Sequence, residues 1–74
     1  HRAERLMDVL TKMRKASIEP KRVVFIYSKI DKSAVTIVVE GRKNGNQGLT
    51  IAPPFYIYNN QGDYTDEMKE VYYG

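Results

Sequence analysis

Two apolar runs limit what this chain can fold into more than any other feature. Residues 22–28 (Arg-Val-Val-Phe-Ile-Tyr-Ser) and 34–40 (Ala-Val-Thr-Ile-Val-Val-Glu) are β-branched or aromatic over most of their length. Neither alternates apolar with polar, so each reads as a strand covered on both faces. The six residues Ser28–Ser33 join them. That is too few for a parallel crossover of about a dozen residues, so the pair is expected to be antiparallel.

The only long helical pattern precedes them. Over residues 2–16, Leu6, Leu10 and Met13 recur at helical spacing, flanked by Ala3, Met7 and Val9. Arg5, Asp8, Lys12 and Lys15 fall on the other side, and Asp8 is spaced to pair with Lys12. Pro20 turns Glu19 away from helical angles, so the helix is expected to stop before it. One such helix covers one face of a strand pair. The cover for the second face is expected from protein outside this chain.

The remainder reads as a tail. Asn44-Gly45 is a hairpin-turn signal, with a short strand expected at Leu49-Thr50-Ile51. Pro53-Pro54 ends its capacity to pair. Phe55–Tyr58 is expected to be extended and Asn59–Asp63 to turn. Thr65 is placed to cap a short helix over 66–72, with Asp66 and Glu67 at its positive end. The order is helix, strand, strand, short strand, helix. Residues 1–74 are expected to form one unit, with 1–48 holding the helix and strand hairpin and 49–74 the tail.

Composition removes several classes of chemistry. A chain of 74 residues buries only about 60% of the surface it exposes when unfolded. Such small units are often stapled by disulfides or metals. Here there is no Cys, and His1 is the only His, so a zinc site with its usual ligands is not expected. His1 has no nucleophile and orienting group to work with. Gly41, Gly45 and Gly48 are spaced as turn glycines and form no phosphate loop. The chain starts on a charged segment and without Met, which reads as a piece of a longer polypeptide with no secretory signal. The lack of Cys fits a reducing, cytoplasmic setting. No apolar run approaches the ~20 residues of a membrane span.

The net charge of +3 is unevenly spread. Residues 1–50 hold 11 Lys and Arg against 5 Asp and Glu; residues 51–74 hold 1 against 4. The basic part suits a polyanion such as nucleic acid. Its candidates are Arg2 and Arg5 at the helix start, Lys29 and Lys32 between the strands, and Arg42 and Lys43 after the second strand. Most of the six tyrosines lie in the acidic tail, where packing against a neighbouring surface is expected of them rather than base stacking. Ala52-Pro53-Pro54-Phe55 is similar to the Asn-Pro-Pro-Tyr/Phe motif of adenine-N6 methyltransferases. It has Ala52 where that motif needs an amide acceptor, and is read as a rigid turn.

Taken together, these residues resemble one family over almost the whole chain. His1-Arg2-Ala3-Glu4-Arg5-Leu6 looks like the His-Arg-Pro-Glu-Arg-Leu segment of bacterial tRNA adenine-N6 methyltransferases, which modify the adenosine beside the anticodon of a valine tRNA. Met13-Arg14, Ile18-Glu19-Pro20-Lys21-Arg22, Glu40-Gly41-Arg42-Lys43 and Gly48-Leu49 continue the match. So do Pro53-Pro54, Tyr58, Gly62, Tyr64-Thr65, Glu67 and Gly74. Ala3 and Asp66 stand where the family has Pro, at helix starts where Pro is optional.

The resemblance implies a class I, S-adenosylmethionine-dependent enzyme with a doubly wound, Rossmann-like sheet. This chain would be its last helix-strand-strand unit with an antiparallel final strand: α/β in the parent, α+β as an isolated fragment. The cofactor loop and catalytic Asn-Pro-Pro-Tyr would lie in the N-terminal part of the same enzyme. No catalytic, cofactor-binding or metal residue maps onto this chain, and the fragment alone is expected to be inactive. Ligands of open α/β sheets bind outside the carboxyl ends of the parallel strands. The resemblance puts Arg2, Arg5, Lys29 and Lys32 at that edge, where they would hold the tRNA backbone, and Arg42 and Lys43 at the opposite one. The rival reading is a stand-alone double-stranded-RNA-binding module, whose last helix would start here on the acidic Thr65-Asp66-Glu67. Uncovered apolar faces also predict self-association of the isolated chain.

Overall fold

A computed structural model describes all of residues 1–74 as a mixed α/β unit of four strands and two helices. A 3₁₀ turn, Ala3–Arg5, leads into α1 (Leu6–Lys15). The long strands are β1 (Ile18–Tyr27) and β2 (Ala34–Lys43), and two short ones follow, β3 (Thr50–Ile51) and β4 (Phe55–Tyr56). The chain closes with α2 (Asp66–Tyr73).

The expected hairpin forms, but both strands are longer than their apolar runs. β1 starts at Ile18 because the helix already ends at Lys15 and Ser17 takes a left-handed φ of 62° that reverses the chain. Pro20 therefore does not end the helix; it lies inside β1, buried. The β1–β2 register slips between Pro20 and Arg22, a bulge that tolerates a residue with no N–H to donate. β2 runs on to Lys43, and Asn44 (φ 54°) takes the tight position, its N–H donating to the Ser17 carbonyl at 2.7 Å.

Asn44-Gly45 does not make a hairpin back onto β2. The chain crosses to the far edge of β1, where β3 and β4 both run parallel to it. Nor is Ala52-Pro53-Pro54 a turn. Thr50 and Ile51 pair with Arg22 and Val23, and Phe55 and Tyr56 pair with Ile26 and Tyr27. One edge strand is thus interrupted by a residue too many where the two prolines offer no N–H. Ala52 keeps the join in contact, donating to the Val23 carbonyl at 2.9 Å.

The outer edge of β2 is met by the start of the chain. The Ile37 N–H donates to the His1 carbonyl at 2.8 Å, the His1 α-amine donates to the Ile37 carbonyl at 3.1 Å, and Arg2 bridges Thr36 antiparallel. Since β1 is also antiparallel to β2, His1-Arg2 runs parallel to β1, with α1 connecting the two.

The two faces of the sheet are unequal. α1 covers one with Leu6, Val9, Leu10 and Met13, and beneath it Val23 and Ile37 are 1% and 0% exposed. Gly41 lets the layers approach closely there: a Cβ on it would lie 2.5 Å from both Ile18 Cγ2 and Met13 Cε, so both side chains would have to shift. The other face carries Val24, Ile26, Thr36 and Val38, flanked by Phe55 and Ile57 and walled on one side by Met68 and Val71 of α2. It is an open trough of about 480 Å³. Val38 stays 45% exposed and Val71 69%. The uncovered second face expected from the strand pattern is present.

Candidate functional site

The two ends of the sheet carry different sets of charged residues. Arg2 lies opposite Thr36, and Thr36 lies opposite Ile26, one residue from the end of β1. The 28–33 connection leaves that same end. Arg2 and Arg5 therefore share a sheet edge with Lys29 and Lys32. Arg42 and Lys43 pair with Glu19 and Ile18 at the opposite end.

The four candidates are not equivalent. Arg2 is paired with Glu4 at 3.1 Å and Arg5 with Asp8 at 3.1 Å, both on the surface. Asp8 takes Arg5 as its partner, not the expected Lys12, because Arg5 Nε on the preceding turn reaches its Oδ2. Such exposed pairs exchange readily with other anions, since each contributes about 1 kcal/mol or less. Lys29 and Lys32 carry no ion pair: none of the four in the chain includes them. A trough of about 420 Å³ opens beside the arginines, lined by His1, Arg2, Arg5, Val9, Lys12 and Met13; Asp8 is the one acid lining it.

The Arg14–Glu19 pair is the best-formed ion pair. Arg14 Nε and NH2 donate to Glu19 Oε1 and Oε2 at 3.1 and 2.9 Å. These bonds hold the Glu19 carboxyl below its ordinary pKa and raise that of Arg14. The pair clasps the end of α1 to the start of β1, far from the 28–33 edge, and is structural.

Sequence reasoning set the tyrosines aside because their neighbours along the chain are acidic. The fold moves two of them. Ile57 and Tyr58 donate their N–H groups to the Tyr27 and Ser28 carbonyls at 2.9 and 2.8 Å. Segment 55–58 thus runs alongside the end of β1 and into the base of the connection bearing Lys29 and Lys32. Tyr56 meets Tyr27 with ring centroids 5.4 Å apart, and Tyr58 stacks on Tyr64 at 5.5 Å. The signal for this was Phe55–Tyr58 itself, an extended run whose parallel partner the sequence did not name.

No group of three or more His, Cys, Asp and Glu comes together, and no helix is long and apolar enough to cross a membrane. Comparison with known families finds no matching family model, and comparison with curated proteins finds no matching relative.

Proposed function

We propose that this chain is the closing C-terminal part of an S-adenosylmethionine-dependent methyltransferase that N6-methylates adenosine in tRNA. Its role is to complete the sheet and to present cations to the RNA. The observation that carries this is the strand-helix-strand path at its start: His1-Arg2, then α1, then β1 parallel to His1-Arg2, with antiparallel β2 between them. A helix joining parallel stretches of one sheet is the repeating unit of doubly wound folds. The uncovered face of Val24, Ile26 and Val38 supports a second helical layer contributed by the N-terminal part of the enzyme.

In this reading S-adenosylmethionine and the reacting adenosine are held upstream of His1. Arg2, Arg5, Lys29 and Lys32 lie at the carboxyl end of β1 and contact tRNA phosphates. The double-stranded-RNA-binding alternative gains no support: α2 opens on exposed Asp66 and Glu67, which repel phosphate, and β3 runs parallel to β1 on its far side.

The test is methyl transfer from S-adenosylmethionine to tRNA by the polypeptide encoded through and upstream of His1, with and without residues 1–74. Transfer by the longer chain, none by residues 1–74 alone, and loss on removing them is the expected pattern. A longer chain that transfers no methyl group, or transfers it equally well without residues 1–74, overturns the reading. Replacing Arg2, Arg5, Lys29 and Lys32 together by Ala is expected to weaken RNA binding and flatten its salt dependence.

A further inference from the structure

The connection after β1 and the segment beside it enclose a small open pocket of about 200 Å³, lined by Ile30, Tyr56, Tyr58, Asn59, Asn60 and Thr65. Two of its walls are exposed and apolar or aromatic. Ile30 is 67% exposed and Tyr58 37%, with nothing packed over them. We infer that this pocket receives one unstacked base of a single-stranded RNA, with Lys29 and Lys32 placed to meet the flanking phosphates. The inference rests on the RNA-contact part of the proposed function and adds to it a subsite, a nucleic-acid form and a mode of recognition.

Three features argue for a base. First, the pocket joins flat and apolar surface to amide edges. Single-stranded RNA is read by stacking its bases on aromatic rings and bonding to their edges. Tyr58 is braced from behind by Tyr64 at 5.5 Å, so its ring is held ready and little ordering is lost on binding. Second, the Asn59 orientation is fixed. Its Oδ1 accepts from the Gln61 and Asp63 N–H groups at 2.9 and 3.0 Å, which leaves the Nδ2 group available as a donor. Asn60 next to it is exposed and supplies both a donor and an acceptor. Third, the loop that contributes Ile30 also carries Lys29 and Lys32, neither of them ion-paired.

Charge alone does not select the ligand. Asp31 lies in the same loop and Asp63 in the neighbouring turn, so the two lysines are balanced by two acids. The base, not the backbone, must then supply most of the affinity at this subsite. That sets it apart from Arg2 and Arg5, which have no aromatic platform.

The experiment uses the 74-residue chain and a fluorescein-labelled single-stranded RNA octamer, read by anisotropy. A second octamer is abasic at every position, and a third is annealed into a duplex. The abasic strand and the duplex are each expected to bind at least about tenfold more weakly, as is Tyr58→Ala with the intact strand. Tyr58→Phe retains binding because the stacking face survives. Ile30→Asp, at a site with no packing to lose, weakens binding without changing the circular dichroism, which guards against a folding defect in Tyr58→Ala. Equal binding of intact and abasic strands, equal binding of the duplex, or no binding of the intact strand overturns the inference. An intact strand that binds through Lys29 and Lys32 but ignores Tyr58 and Ile30 overturns it while leaving the proposed function standing. Failure of methyl transfer by the longer chain overturns that function and leaves the base subsite standing.

Discussion

The two faces of the sheet are made of the same kinds of residue and end in different states. Under α1, Val23 and Ile37 are sealed; on the far side, Val24 and Val38, each one residue along and paired with one another, remain half-covered and exposed. Side-chain chemistry explains little of the difference, because the α1 face carries Val23, Phe25, Ile37 and Val39 and the trough face Val24, Ile26, Thr36 and Val38. Cover explains it. α1 is a ten-residue helix with Leu6, Val9, Leu10 and Met13 partly buried against the hairpin, while eight-residue α2 has only Met68 partly buried. Apolar surface on a strand states that a layer belongs there and says nothing about which chain supplies it.

The comparison is most open to attack at the buried positions. Ile37→Ala is expected to cost about 2–5 kcal/mol, enough to unfold a chain this small. Val38→Ala, one residue along and on the other face, is expected to cost under about 1 kcal/mol, because its side chain already meets water. Urea denaturation of the two variants decides it; equal losses would mean that the second face is covered in solution. Thr65→Ala comes next, at about 1 kcal/mol. It removes both the Oγ1 that accepts from the Met68 N–H at 3.1 Å and the donor to the Tyr56 carbonyl at 2.6 Å. Thermal melts should show that loss, and nuclear Overhauser contacts from Met68 to the trough should fade as α2 loosens.

The smallest effect is on the α1 side. Glu19 has a depressed pKa when folded, because Arg14 donates to it. Its contribution is therefore present above the unfolded carboxylate pKa and is lost as pH falls through the lower, folded value. Glu19→Gln should show a shallower acid loss of stability than the unaltered chain, and match it more closely at the acid end. Identical pH profiles would remove the clasp from the account of why α1 stays on its face.

Helix α1, the antiparallel hairpin, the Asn59–Asp63 turn and the Thr65-capped α2 were all legible in the sequence. Each is written locally: an i, i+4, i+7 stripe, a short connection, an Asn-to-Asp turn and a Thr before two acids. Placement of β3 and β4 was not. Asn44-Gly45 signals a reversal, but the strand that follows chooses between the edge of β2 and that of β1. His1-Arg2 already occupies the β2 edge at Thr36 and Ile37, and no local pattern reports that. The candidate site was legible in the same uneven way. The shared edge of Arg2, Arg5, Lys29 and Lys32 followed from the family resemblance. The tyrosines beside them depended on the parallel run of 55–58, a contact between segments about thirty residues apart in sequence.

The bond between the His1 α-amine and the Ile37 carbonyl also has a practical side. The direction of His1-Arg2 along β2 points any residue fused ahead of His1 toward Val38 and then Val39. A purification tag placed there is not a loose appendage. Its first residues start in line with Val38 and Val39 of β2, so its composition would bear on solubility, aggregation and the stability read from every variant described above.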